Sequence, residues 1–242
     1  MIMLTKLLCL EDAYLKECNS KILEIQGDLV VLDRTVFYPA GGGVPCDYGV
    51  LGKDGTEFKV IDVSKKDGIA YHKIEEAPGP LSVGDEVTAS IDWDRRHKLI
   101  RMHTSAHMLG AVMYKRGALV TGNQIGLDQS RFDFNCPTGL QREMFDDAIA
   151  ELNETLTRDI EVKIYSLPRE EAFKIEGIVK LANKLPPSVD VLRIVEIPGV
   201  DTQADGGPHV RNVNEIGQVK IEKIENKGTA NKRLYYSLVA PG

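Results

Sequence analysis

His103 and His107 stand four positions apart in Arg101-Met102-His103-Thr104-Ser105-Ala106-His107-Met108-Leu109. On a helix, positions four apart lie one turn above each other, so both imidazoles share a face and can bite one divalent metal. A second segment, Asp205-Gly206-Gly207-Pro208-His209, joins another carboxylate and imidazole by a glycine turn. Three imidazoles and a carboxylate match the ligands zinc takes, and a catalytic zinc keeps a place for water. Such a centre lowers the pKa of its water to about 7, which favours hydrolysis of an ester or amide. Each part also has a plainer reading: a core histidine bonded to a carbonyl, or an ordinary glycine turn. Thr104 follows the first histidine where zinc proteases carry glutamate, so a protease is not expected. Thr104 and Ser105 lie between the two histidines; a hydroxyl bordering the pocket is more expected of Thr104, and ordinary helix surface of Ser105.

These residues must be brought together by elements the sequence also outlines. Asp94 to Tyr114 reads as a helix with Leu99, Met102, Ala106, Leu109 and Met113 on one stripe, Asp92 as its N-cap and Gly117 as its stop. Before it, short β-branched runs at 22–25, 28–32, 50–51, 57–63, 69–74 and 84–92 suggest a small barrel. Inside that series lies the glycine-rich loop Gly41-Gly42-Gly43. No Lys-Ser/Thr pair follows it, so it is not a Walker loop. After the first helix, strands are expected at 119–122, 130–134, 160–165 and 191–197. A helix runs to Leu156 with Met144, Ala148, Ile149, Leu152 and Leu156 inward, and another begins between Pro168 and Phe173. The 191–197 strand leads into a loop from Gly199 to His209, and 217–224 with 233–239 form a late hairpin. The fold class is α+β: a β-barrel domain over 1–91, then a two-layer α/β domain over 92–242.

The 242 residues are 43% hydrophobic and 27% charged, enough for a core without external staples. Thirty basic against 36 acidic residues give a net charge of −6, which opposes a general nucleic-acid coat but not a local basic patch. Arg95, Arg96, His97, Lys98 and Arg101 form such a patch, one turn before the histidine pair, and can clasp phosphates. Its plainer reading is a solvated helix face, partly neutralised by Asp92 and Asp94. Cys9, Cys18, Cys46 and Cys136 have no paired spacing and read as reduced cytosolic thiols. No membrane span or signal peptide is expected. Gln124 and Arg131 supply further polar groups that periodicity does not place.

Taken together, the segments Asp92-Trp93-Asp94-Arg95-Arg96, Met102 to His107, Thr121-Gly122-Asn123-Gln124, Arg131 to Phe134 and Gly206 to Val210 resemble the alanyl-tRNA editing proteins. These are free-standing relatives of the editing domain of alanyl-tRNA synthetase, often called AlaX. The glycine loop with its flanks, Phe37 to Pro45, is similar to the glycine-rich motif of the medium-length class, which the chain length also fits. The resemblance implies a cytoplasmic hydrolase with one Zn2+ per chain. Its substrate would be serine, or glycine, wrongly esterified to alanine tRNA. It implies His103, His107 and His209 as metal ligands, with Asp205 standing where the family commonly has cysteine. It also implies Thr104 as the group recognising the serine hydroxyl, Gln124 and Arg131 beside it in the catalytic site, and Gly41, Gly42 and Gly43 closing on the aminoacyl end. Arg95, Arg96, Lys98 and Arg101 are then expected to face the tRNA. Two alternatives stand: a tRNA-binding protein with a structural zinc and no catalysis, and editing of a different aminoacyl-tRNA.

Overall fold

Alternation of inward apolar and outward polar residues between Glu17 and Ile91 closes six strands into a barrel in the computed structural model, which describes residues 4–76, 79–136, 138–175, 177–178 and 189–239. The strands are β1 (Lys6–Leu7), β2 (Glu17–Gln26), β3 (Leu29–Leu32), β4 (Arg34–Thr35), β5 (Gly49–Lys53), β6 (Thr56–Lys66), β7 (Ile69–Ile74) and β8 (Glu86–Ile91). The barrel order is β2-β3-β7-β6-β5-β8, and β1 and β4 make a separate parallel pair. Ile22, Leu32, Leu51, Val63 and Ile74 are among its buried core. Gly49 permits the close β5–β8 approach, since a Cβ there would lie 2.0 Å from the Ser90 carbonyl oxygen.

The glycine loop is a tight reversal. Gly41 and Val44 exchange backbone hydrogen bonds of 3.1 and 2.9 Å. Gly42 and Gly43 sit at φ 61° and 92°, the positive values a primed hairpin turn requires. Val44 is buried, which anchors the turn, while the three glycines are exposed.

The helix α1 (Trp93–Lys115) begins on the expected cap: the Asp92 carboxylate accepts the Arg95 backbone N–H at 3.0 Å. It stops at Gly117, φ 77°. The single apolar stripe expected of it is too narrow a description, because every residue from Met102 to Met113 is buried. Ser105, expected at the surface, is buried too, and its hydroxyl donates to the Met102 carbonyl at 2.8 Å.

Then follow β9 (Leu119–Gln124), β10 (Ser130–Asn135), α2 (Arg142–Leu156), β11 (Lys163–Pro168), α3 (Arg169–Ala172), β12 (Val191–Ile197), β13 (Asp201–Ala204), β14 (Gln218–Asn226) and β15 (Asn231–Val239). A four-stranded sheet runs β14-β15-β10-β9, with α2 against β14, and a three-stranded sheet runs β11-β12-β13. On α2, Phe145 is buried and Met144 only half-buried, one position off the expected face. The 199–209 segment is not all loop: Asp201–Ala204 pairs antiparallel with β12. The fold is α+β. The chain divides into two compact units, Met1–Lys98 and Leu99–Gly242, the division falling inside α1.

Arg96 corrects the expectation of a basic run facing tRNA. It is wholly buried in the first unit. Its Nε donates to both oxygens of Asp47 at 3.0 and 3.1 Å, and its Nη1 and Nη2 donate to the Ala13 and Val36 carbonyls at 2.8 and 2.7 Å. A guanidinium so buried, its Nη2 also donating to Asp47, is not exposed to a phosphate. Arg96→Leu should cost about 3–5 kcal/mol in a denaturant titration, because it strands the Asp47 carboxylate in the core.

His72 offers a pH test of the barrel. It is wholly buried, with Nδ1 donating to the Val30 carbonyl at 3.0 Å and Nε2 accepting from the Thr35 hydroxyl at 2.9 Å. Burial pushes its pKa down to about 4, against the smaller opposing effect of the Val30 carbonyl. The unfolded chain therefore takes the proton first. The stability from this residue is complete above about pH 6.5 and drains away as pH falls towards 4. His72→Gln should flatten that acid slope by about 3 kcal/mol in urea midpoints measured from pH 7 to 4.

Candidate metal centre

The centre is built from one turn of α1 and the loop that leaves β13. His103, His107, Asp205 and His209 each present a ligand atom, and these atoms lie within 4.8 Å of one another. All three histidines are buried, and the Asp205 side chain is 17% exposed. The ring centroids are 4.3 to 5.0 Å apart. The group can hold a metal ion, and the two remote segments meet as their residue types required.

The outer hydrogen bonds decide which nitrogen faces inward. His103 gives its Nδ1 hydrogen to the Pro208 carbonyl at 3.1 Å, which leaves Nε2 towards Asp205 Oδ1 at 3.6 Å. His107 gives Nδ1–H to Asp201 Oδ2 at 3.2 Å, and its Nε2 lies 3.7 Å from Asp205 Oδ1. His209 Nδ1 meets the Thr104 hydroxyl at 3.1 Å, with Nε2 3.1 Å from Asp205 Oδ2. Thr104 donates to the Ile100 carbonyl at 2.8 Å and accepts the Val210 N–H at 3.2 Å. Its remaining lone pair then accepts the Nδ1 hydrogen of His209. Three Nε2 atoms thus surround one carboxylate.

Backbone choices hold the loop. The Gly207 N–H donates to Asp205 Oδ2 at 2.6 Å. A Cβ at Gly207 would lie 2.5 Å from His103 Cε1, so glycine is what lets the loop close on the ring. Arg193 Nη1 donates to the carbonyls of Asp205 and Gly207 at 3.0 and 2.9 Å, tying the loop to β12.

Burial dominates the electrostatics of two of the rings. It pushes His103 down to about 4 and His209 well below the ordinary histidine value. On His107 burial also opposes charge, but the Asp201 and Asp205 carboxylates outweigh it and raise the pKa to about 9. Burial would raise Asp205; the surrounding imidazoles hold it well below the carboxylate range.

The remaining expected residues fall in three places. Thr104 is fully buried with its hydrogen and both lone pairs engaged, so it positions His209; no lone pair is left for a substrate hydroxyl, which corrects the role the resemblance implied. Gln124 and Arg131 face each other as cross-strand partners of β9 and β10. Among the described residues Arg131 Nε is buried without a hydrogen-bond partner, 3.8 Å from Asp133 Oδ2. Arg95 stacks its guanidinium 3.8 Å from the Tyr48 ring centroid, Lys98 is exposed, and Arg101 donates to the Ile216 carbonyl at 3.1 and 2.6 Å. Asp201 and Arg193 were not foreseen. Recognising 201–204 as a strand is the signal that would have turned attention to Asp201.

Comparison with known proteins agrees with this layout. Residues 6–95 match the family described as tRNA synthetases class II (A), and residues 192–235 match the threonyl and alanyl tRNA synthetase second additional domain. The chain is 45% identical over 238 residues to the alanyl-tRNA editing protein AlaX-M of Saccharolobus solfataricus, covering 97% of this chain and 99% of that one. It belongs to the alanyl-tRNA editing protein family. The AlaX-M editing protein of Methanosarcina mazei is 42% identical over 245 residues, 98% of this chain and 97% of that one. The alanine–tRNA ligase of Pyrococcus abyssi is 36% identical over 236 residues, 96% of this chain but 26% of the ligase. This editing-family chain therefore corresponds to about a quarter of that enzyme.

The Thr104 contacts give a direct test. Thr104→Val keeps the shape but leaves the Val210 N–H and the His209 Nδ1 hydrogen without an acceptor. It should cost about 2–4 kcal/mol in urea unfolding, against less than about 1 for Thr104→Ser.

Proposed function

We propose that this protein is a zinc-dependent hydrolase that removes serine, with glycine as a second substrate, from mischarged alanine tRNA in the cytosol. The convergence of three imidazole Nε2 atoms on the Asp205 carboxylate carries the reading. Two ligands about 2.05 Å from a tetrahedral zinc lie about 3.3 Å apart. The contacts between the Asp205 oxygens and the three Nε2 atoms, 3.1, 3.6 and 3.7 Å, straddle that value. The donor set of nitrogen and oxygen also suits zinc. The lone pairs that the neutral His103 and His209 turn towards the carboxylate repel it, so a cation between them turns the arrangement favourable.

His103, His107 and His209 would hold the ion, with Asp205 as the fourth donor or as its neutralising charge. Zinc, when bound, supplies Lewis-acid polarisation at a reacting ester. Gln124 and Arg131 supply polar groups for the substrate, and Arg131 Nε, 3.8 Å from Asp133 Oδ2, still has its hydrogen to give to an oxygen. Gly41, Gly42 and Gly43 present bare backbone that can close on the aminoacyl end. Arg95, Lys98 and Arg101 remain for phosphate contacts; Arg96 does not. The chemical need is general: a pocket shaped for alanine cannot strongly reject a substrate that adds one hydroxyl, so a second hydrolytic site must remove it.

A second reading, structural zinc without catalysis, draws on the position of Asp205 among all three rings, which would complete a closed four-ligand shell. Deacylation of seryl-, glycyl- and alanyl-tRNA by zinc-loaded, metal-stripped and His103→Ala protein separates the two. The expected result is release of serine, slower release of glycine and little release of alanine. Stripping zinc or removing His103 should cost about a hundredfold or more in rate. Full activity without metal would refute the zinc reading. Tight zinc with no turnover of any of the three esters would establish the structural one.

A further inference from the structure

We infer that Asp201 is a positioning residue of the metal centre: its buried carboxylate fixes His107 with the hydrogen on Nδ1 and the lone pair of Nε2 turned to the ion. This rests on the zinc reading above and extends it to a residue outside the ligand set. His107 has a carboxylate beside each ring nitrogen, Asp201 Oδ2 at 3.2 Å from Nδ1 and Asp205 Oδ1 at 3.7 Å from Nε2. Only the shorter contact is a hydrogen bond. The hydrogen bond therefore holds the ring with Nδ1 turned to Asp201 and Nε2 turned into the cluster.

The carboxylate is itself held. Asp201 is 5% exposed. Its Oδ2 also accepts from Gln203 Nε2 at 2.8 Å, and its backbone is registered opposite Ile197 at the start of β13. The other two rings hand their Nδ1 hydrogens to neutral groups, the Pro208 carbonyl and the Thr104 hydroxyl. His107 alone is oriented by a charge, and a charged acceptor both binds the N–H more strongly and makes Nε2 a better donor to the metal. The β13 segment would thereby reach a bound ion twice: through His209 in the loop that follows the strand, and through Asp201 at its start by way of His107.

The test is zinc affinity by chelator competition on the full-length chain, for the parent, Asp201→Ala and Asp201→Asn. Asp201→Ala should weaken zinc about 10–100-fold. Asp201→Asn, whose side-chain oxygen can still accept the Nδ1 hydrogen, should recover part of that loss. An alanine variant within twofold of the parent, or an asparagine variant no better than alanine, overturns the assignment and leaves the zinc reading standing. A parent that binds no zinc overturns both. Should Asp201→Ala not fold, histidine-ring ¹⁵N shifts of the zinc-loaded parent decide: zinc on Nε2 of His107 with a hydrogen-bonded Nδ1–H supports the role of Asp201, and zinc on Nδ1 overturns it.

Discussion

An imidazole offers a metal one lone pair only while its other nitrogen keeps a hydrogen, and in a buried cluster that hydrogen must find an acceptor. Three rings packed 4.3 to 5.0 Å apart therefore demand three acceptors placed outside them. The fold supplies a loop carbonyl at Pro208, a hydroxyl at Thr104 and a carboxylate at Asp201. Much of the second unit follows from that demand. Helix α1 is buried all round through the histidine pair, so solvent does not compete for the outer nitrogens. Strand β13 sets Asp201 before the loop, and Gly207 lets the loop press against His103.

The meeting of these four side chains in a group that can hold a metal was readable from residue types and spacing, since two histidines four apart on a helix and an Asp-Gly-Gly-Pro-His turn have few joint explanations. The barrel was readable too, because its strands alternate apolar and polar residues between strong turn signals. What stayed hidden depends on surroundings rather than on local pattern. Arg96 sits in a run of basic residues and looks solvated, yet it is the one guanidinium buried against Asp47, a partner 49 positions earlier in the chain. Thr104 looks like a hydroxyl beside a pocket, but Ile100, His209 and Val210 take up its full capacity. Asp201 lay in a stretch read as loop, because only four residues pair there.

The charge balance of the centre links its geometry to its chemistry. Asp201 and Asp205 bring two negative charges against three rings, of which burial keeps His103 and His209 neutral. With the proposed divalent ion bound and all three rings neutral, the two carboxylates would make a near-neutral buried unit, which avoids the cost of an uncompensated charge in the core. The relatives of this chain that carry the name alanyl-tRNA editing protein match it over 97% and 98% of its length, a span that takes in both the barrel and the histidine cluster.

The most direct measurement is anomalous X-ray scattering at the zinc edge from crystals of the full chain grown with Zn2+. The account predicts one strong peak at bonding distance, about 2.0–2.1 Å, from Nε2 of His103, His107 and His209. A peak elsewhere, bonds through Nδ1, or no peak among these rings would contradict it.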